Sequence, residues 1–496
     1  MATLHSRQLT LGGLRVPFAR FAANKTRLFG LLAIALSCAM AASAKTNTLT
    51  IIQTTDIHTS EDLARLATHI VRERKANSDV LLVDCGDLTR GSFAATVDDG
   101  EAEVATLNKL RYDVWVPGNH EFRAGQGHLR HVLEQFKSGD VLAANLSFKE
   151  APAPRRKILP WKIYKRSGLH VAVIGLISPD TERWYGSMLY KGIETCSAKE
   201  ALEAVMPAVR EAKPDVIVVA AHLGAYSPSG DTNAPLAKLP EYIASYPDIS
   251  LLLAGHTHQK IQQRALSDTC WMMQPPTHAK AASRIMLSFD TDARRVVSVT
   301  NVFLYAKDAE PWPKMPKEWV RRPEMAKRAG AEVVAVIPAG VSLRPSKDPA
   351  EVNPMRVFCA RAIAEATGAD AALAEIGKRA SMSTGVVTRA TLYNFASHEN
   401  YLSVITVTPG ELRRIVDEQK AKGCPLVPYG LDYGKLPDHP IRLALGAYAA
   451  NGSDGAYPVL RTIAESGQVS REDTEIAMRD SIGMLLRRLY PPPTAR

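Results

Sequence analysis

Cysteine is scarce in this 496-residue chain: there are six, and no two stand in a CxxC spacing, so a cysteine zinc site is excluded. Cys85, Cys196, Cys270, Cys359 and Cys424 lie beyond residue 44. That odd, widely spaced set leaves room for one or two disulfides but not for a disulfide-stapled scaffold. Cys85 sits in a strand context and reads as a small buried residue. Past the N-terminus no run is apolar and long enough to span a bilayer. There is no dense basic run, no internal repeat and no low-complexity tract. The HExxH zinc helix is missing too, because Ala124 stands where its second histidine belongs.

Arg15, Arg20, Lys25 and Arg27 precede an apolar stretch from Leu28 to Ala44 that ends Ala42-Ser43-Ala44. This reads as a secretory signal cleaved after Ala44. The competing reading is an uncleaved anchor, for which about 17 residues is short. The expected location is periplasmic or secreted, with no stable membrane anchor after cleavage. Residues 1–44 hold five Lys/Arg and no Asp/Glu, so the mature chain carries 56 basic against 51 acidic residues, net +5. That is too mild for a nucleic-acid polymer as partner. The expected oligomeric state is a monomer.

The length exceeds one ordinary core, so two domains are expected. Over residues 48–290 short apolar runs alternate with helical patterns. Strands are expected at Leu49–Gln53, Val80–Asp84, Val114–Pro117, Val141–Ala144, Val171–Ile177, Val216–Ala221, Ser250–Leu253 and Arg284–Phe289. Helices are expected at Glu61–Arg74, Glu101–Lys109, Gly127–Phe136 and Ala198–Glu211. This is an α/β pattern with helices layered on sheet. Prolines then punctuate a charged stretch holding one helical piece at Lys317–Ala329, read as a linker over 301–350. Periodicity returns in a second, smaller α+β domain over 351–496, after a first domain spanning 45–300.

Five polar clusters follow the strands of the first domain: Asp56-Ile57-His58, Gly86-Asp87, Gly118-Asn119-His120-Glu121, His222 and Gly255-His256-Thr257-His258. In extended chain, residues two apart point the same way, so Asp56 with His58, and His256 with His258, each present paired donors. Asp87 has two oxygens and can bridge two cations. Asn119 offers a neutral amide oxygen. His120, next to it, cannot easily reach the same ion and suggests an acid or a phosphate contact. Each cluster alone is as often a turn or a satisfied structural residue. Five together, each after a strand, point to metal bound by mixed N/O donors, suited to Mn, Zn, Fe or Mg.

The order D-x-H, G-D, G-N-H-E, H, G-H-x-H resembles the calcineurin-like metallophosphoesterases. The mature chain as a whole resembles the two-domain 5′-nucleotidase family, which includes 2′,3′-cyclic-nucleotide phosphodiesterases. The resemblance implies a β-sandwich flanked by helices plus a smaller substrate-binding domain. It also implies two divalent ions: Asp56, His58, Asp87 and His258 would hold one, and Asp87, Asn119, His222 and His256 the other. Paired cations acidify a shared water and clamp phosphoryl oxygens, and His120 would protonate the leaving group or stabilise the developing charge. Arg123 stands where 5′-nucleotidases commonly carry an Asp that orients this histidine. It either contacts phosphate or is a solvated helix residue. Gly175-Leu-Ile-Ser-Pro179 followed by Trp184 is similar to the cyclic-phosphodiesterase branch.

In the second domain, Ser397-His398-Glu399-Asn400 and the loop from Tyr448 through Asp454 to Pro458 resemble the family's base-binding segments. By that match Tyr448 stacks on a base, His398 takes the place of a second stacking ring, and Asp454, Asn400 and Arg379 position the substrate. The bland reading of Tyr448 is ordinary core. The turn before Arg379 departs from the family pattern. The implied function is a secreted phosphoesterase acting on nucleotides, either 5′-monophosphates or 2′,3′-cyclic ones, by metal-activated water. The alternatives are the same hydrolytic core with a non-nucleotide substrate, including a sulfur-oxidation-type thiosulfohydrolase, or a non-catalytic metal-binding protein.

Overall fold

The computed structural model describes residues 45–149, 154–181, 185–223, 235–345, 353–376, 380–398, 400–421, 429, 431–432, 434–452 and 457–493. The expected signal segment, Trp184 and Cys424 lie outside them. The first half is built on two sheets. The larger takes β1 (Thr46–Thr54), β2 (Leu81–Asp84), β3 (Val114–Trp115), β4 (Asp140–Leu142), β6 (Ile158–Leu159), β14 (Ala281–Asp290) and β15 (Arg295–Tyr305). Its order is β15-β14-β1-β2-β3-β4-β6, parallel from β1 to β6. A short ribbon pairs β5 (Leu146–Phe148) with β9 (Ile193–Thr195). The second sheet has β7 (Trp161–Arg166), β8 (Leu169–Leu176), β10 (Val216–Ala221), β11 (Ile249–Ala254), β12 (Ile261–Ala265) and β13 (Trp271–Gln274). Its interior strands β8, β10, β11 and β13 are parallel.

Strand periodicity decides how the layers pack. In β8 and β10, Val171, Val173, Val216, Val218 and Ala220 join the core that also holds Ile51, Leu82 and Val114 of the larger sheet. The alternate residues Ala172, Ile174, Ile217 and Val219 face a second core with Leu202, Val205 and Val209 of helix Ala198–Glu211. One strand thus feeds both a sheet-on-sheet and a helix-on-sheet interface, because side chains alternate with period two. The fold is the expected layered α/β arrangement, and both sheets turn the C-terminal ends of their parallel strands to one edge, where such folds place ligands.

Up to residue 345, the stretch read as a linker is structured. β15 continues through residue 305 as an edge strand of the larger sheet, and β16 (Val333–Ile337) pairs with β18 (Gly385–Thr388). Between them helix Lys317–Gly330 holds Arg322 in a buried ion pair with Glu103. The prolines that break the periodicity therefore separate short elements. The second half centres on a sheet ordered β17 (Ala371–Ala372), β20 (Ile441–Gly446), β19 (Tyr401–Val407), β21 (Arg471–Ala477). Helices Pro354–Thr367 and Met478–Leu489 bury Phe358, Ile363, Ile482 and Leu486 in its core. Cys85, Cys196, Cys270 and Cys359 are free thiols. Cys85 is fully buried, and burial pushes its thiol well above the usual range. Among the described residues no helix is long and apolar enough to cross a membrane.

Candidate metal centre

Loops leaving β1, β2, β3, β10 and β11 meet at this edge. They bring Asp56, His58, Asp87, Asn119, His120, His222, His256 and His258 into one cluster. Asp56, His58, Asp87, His222, His256 and Asn119 come from sequence positions up to two hundred apart, yet their donor atoms fall into two groups. In the group Asp56, His58, Asp87 and His258, and in the group Asp87, His222 and His256, all candidate ligand atoms lie within 4.8 Å of one another. Asp87 belongs to both. Asn119 Oδ1 joins the second group, 3.1 Å from His222 Nε2 and 2.9 Å from His256 Nδ1.

The backbone is strained where the donors sit. Asp56, His58, Asp87, His256 and His258 all have positive φ, between 49° and 73°. Non-glycine residues seldom adopt this region, and such strain persists at functional sites when surrounding structure over-determines it. Glu121 supplies much of that structure. Its buried carboxylate accepts from the N–H groups of Asp87 (3.1 Å), Leu88 (3.0 Å), Thr89 (2.9 Å) and Gly118 (2.6 Å), and from the Thr89 hydroxyl (3.0 Å). One side chain thereby ties the β2 loop to the β3 loop. Gly118 must be glycine there: a Cβ would lie 2.3 Å from both the nitrogen and Oδ1 of Asp87.

The donor set fits divalent cations. Metal ligands must be anionic or neutral, not protonated. Burial drives the imidazoles of His58 and His256 down to about 4, so both are neutral near pH 7. Burial opposes charge on Asp87, but the imidazoles of His120, His222 and His58 around it hold its carboxyl well below the ordinary range. His222 places Nδ1 at 2.7 Å from the Cys85 carbonyl, which fixes one proton on Nδ1. Against burial, the Asp87 carboxylate pushes this imidazole up to about 10, so an ion bound there would displace the second proton from Nε2. His58 Nε2 and His258 Nε2 lie 2.8 Å apart, two ring nitrogens aimed at one point.

His120 sits beside this group with Nε2 at 3.7 Å from Asp87 Oδ2, and its backbone N–H donates to Asp87 Oδ1 at 2.8 Å. Burial, reinforced by the Arg123 guanidinium, holds its imidazole well below the usual range. Arg123 is neither solvated nor isolated. Its Nη1 lies 3.5 Å from His120 Nδ1, its Nε donates to the Tyr185 hydroxyl oxygen (2.9 Å), and its Nη2 donates to His398 Nδ1 (3.1 Å). His398 is thus brought from the second half to the rim of the centre. Tyr448 is half-buried and packs against the first half's main core. Asn400 donates to Glu375 Oε2 at 2.8 Å. Arg379 and Asp454 lie outside the described residues.

Three residues near the donors escape sequence reasoning. Glu121 reads only as part of a motif. Tyr185 accepts from Asn119 Nδ2 (2.9 Å), which turns Asn119 Oδ1 toward the histidines. Its only sequence signal is the aromatic pair with Trp184. His278 places its ring 5.1 Å from that of His58 and 5.7 Å from that of His258. It lies twenty residues past the nearest cluster, and nothing in its surroundings marks it.

Fold and site together define a metallophosphoesterase architecture. Residues 49–260 match the calcineurin-like phosphoesterase family, and the chain carries that family's domain. It is similar to the protein UshA of Escherichia coli (strain K12), 28% identical over 185 residues, which cover 37% of this chain and 33% of UshA. It is also similar to the 5′-nucleotidase of Homo sapiens, 33% identical over 171 residues, 30% of each chain. The matched stretches span about a third of these relatives' length. A Staphylococcus aureus protein provisionally named a 5′-nucleotidase shares the fold across 90% of this chain and 98% of its own, with a TM-score of 0.72 at 18% identity.

Proposed function

We propose that this protein is a two-metal phosphoester hydrolase acting on nucleotides, 5′-monophosphates or 2′,3′-cyclic phosphates. The observation that carries the reading is the pair of donor groups sharing Asp87 at one sheet edge. Asp56, His58, Asp87 and His258 would hold one divalent ion, and Asp87, Asn119, His222 and His256 the other. The N/O donors suit Mn, Zn, Fe or Mg. Bound there, such ions supply an acidified water and positive charge for the phosphoryl oxygens.

The protein's own part is positional. Glu121 fixes the two loops that carry Asp87 and Asn119. Tyr185 orients the Asn119 amide. Arg123 has only donors, so against it His120 Nδ1 is the acceptor and the ring proton sits on Nε2, the edge toward Asp87 and the substrate space. In this reading His120 donates a hydrogen bond from Nε2 to the departing ester oxygen, and Arg123 fixes that tautomer while adding positive charge at the phosphate's edge. Arg123, in the place of an acidic residue, gives a neutral His120 beside a cation, an arrangement suited to an anionic phosphodiester as much as to a monoester.

On the substrate side, His398 and Tyr448 would contact the base, with Arg379, Asn400 and Asp454 positioning the nucleotide. The names of the relatives, 5′-nucleotidase among them, support a nucleotide substrate. The domain reading accompanies it: a catalytic domain over 45–300, a connecting segment over 301–350, and a substrate-binding domain over 351–496. With 1–44 as signal, the location is periplasmic or secreted.

The test is turnover of bis-p-nitrophenyl phosphate, AMP and 2′,3′-cAMP by Mn²⁺-loaded mature chain. No metal-dependent turnover on any of the three, with metal bound, sinks the reading. Asn119→Ala should abolish activity with the fold intact, and persistence of activity removes Asn119 from the ligand set. Tyr448→Ala should raise KM for nucleotides far more than for an aryl phosphate, and equal effects remove Tyr448 from the base site.

A further inference from the structure

A cavity of about 440 Å³ lies away from the donor cluster, between helix Phe93–Val97 of the first half and helices Arg389–Phe395 and Met478–Leu489 of the second. None of the candidate metal ligands lines it. Its size falls within the range of small-molecule sites, roughly 300–1,000 Å³.

Its walls are unusual in charge. Arg90, Arg389, Arg479 and Arg487 contribute guanidinium groups, against a single lining carboxylate, Asp480. Arg389 and Arg487 share one outside partner, Glu332, with one carboxylate oxygen each at 3.6 and 3.3 Å. Each guanidinium has five donors in a planar fork, so one shared carboxylate takes only a small part of their capacity. Both side chains are more than half exposed, at 54% and 58%, and can reach an incoming ligand. Arg479 is fixed differently: it lies 4.7 Å over the Tyr393 ring and donates to the Ala396 carbonyl at 3.1 Å. Arg479 already covers the buried Tyr393 ring, so half-buried Phe93 is the more accessible aromatic side chain of the wall. Phe93 and Tyr393 meet edge to face at 5.6 Å, one from each half of the chain. Gly483 lets the two helices of the second half close up behind them, since a Cβ there would lie 2.9 Å from Leu392.

We propose that this cavity is a binding site for a small organic phosphate, its oxyanion held by Arg389 and Arg487 and its apolar body set against Phe93. Arginine forks recognise phosphate bidentately, and an aromatic side chain such as Phe93 favours an apolar body. The site does not depend on the reaction proposed for the metal centre. An occupant would touch both halves, including the loop that runs from Asp87 to Arg90.

The probe is 1-naphthylmethylphosphonate, whose P–C bond is not a phosphoester, titrated calorimetrically into Mn²⁺-loaded full chain. In Asp87→Asn protein, with binding at the metal centre removed, one site per chain should remain. Adding Arg389→Glu and Arg487→Glu should weaken that site at least tenfold, as loss of charge-assisted hydrogen bonds implies. Binding that disappears with Asp87→Asn alone, or that survives the charge reversal, overturns the proposal. Where the double reversal prevents folding, Arg487→Gln at its exposed position should weaken binding severalfold, and unchanged affinity overturns it equally. Inorganic phosphate should bind more weakly than the phosphonate, and equal affinity overturns the apolar half of the site.

Discussion

Glu121→Gln isolates what holds the metal loops in place. The wild-type carboxylate uses Oε1 for Leu88 N, Thr89 N and the Thr89 hydroxyl, and Oε2 for Asp87 N and Gly118 N. Glutamine keeps the volume and can retain the first set on its single oxygen. Its NH₂ then faces Asp87 N and Gly118 N, donor against donor. The residue has 0% exposure, so water does not replace the lost acceptor. Two buried N–H groups without partners cost about 1–3 kcal/mol each, so the substitution should destabilise the protein by about 4 kcal/mol. That is a large share of a typical total of about 5–15 kcal/mol. Urea unfolding reads this loss. Calorimetry with Mn²⁺ reads the second consequence: with Asp87 and Asn119 less firmly placed, affinity should fall about 10- to 100-fold, as for other groups that orient metal ligands. Turnover of bis-p-nitrophenyl phosphate should recover at saturating Mn²⁺, because Glu121 touches no donor atom directly. An unchanged urea midpoint with unchanged Mn²⁺ affinity refutes the reasoning. A loss of turnover that persists with metal bound gives Glu121 a direct part in the reaction instead.

Three further outcomes are expected. Gly118→Ala forces a Cβ to within 2.3 Å of Asp87, so the loops must separate; Mn²⁺ binding and turnover should be lost together, and normal Mn²⁺ affinity contradicts this. Tyr185→Phe removes the acceptor for Asn119 Nδ2 and for Arg123 Nε, so the amide is free to turn its oxygen away; Mn²⁺ affinity should fall about tenfold and the thermal midpoint should drop, and unaltered binding counts against the role. Asp473 accepts from Ser187 N (2.8 Å) and Arg471 Nε (2.7 Å), which joins the two halves of the chain. Burial alone would raise its carboxyl, but Arg471, Ser403 and Ser187 hold it below the usual range. Such a depressed value contributes stability that is present above the unfolded pKa, about 4, and lost as pH falls through the folded one. Asp473→Asn should therefore cost about 1–2 kcal/mol near pH 7 and progressively less as pH falls below about 4, and a pH-independent difference contradicts the assignment.

Where local chemistry decided structure, it was legible. Helix Ala198–Glu211 has a Ser197–Glu200 capping box and an apolar stripe, and it forms over the expected residues. The buried parallel strands also announce themselves, because both their faces are apolar. β15 does not: only Val299 and Asn301 among its residues are buried, and Val297 and Val302 stay exposed on this edge strand. β16 is hidden among prolines and finds its partner in β18, about fifty residues on. Tyr185 and His278 follow the same logic, since each gains meaning only from loops that approach it in space.

The sequence alone determined the chemistry offered at the sheet edge. Residue type and strand-end position supply carboxylate, amide and imidazole donors, and these follow from local patterning. Only the tertiary structure decided how the donors divide, because sharing of Asp87 between two groups depends on where β10 and β11 of one sheet end against β1, β2 and β3 of the other. It also decided that Arg123 faces His120 and His398 at once, and that four arginines surround one cavity. These are meetings between segments distant in sequence, fixed by packing and backbone strain rather than by any local preference.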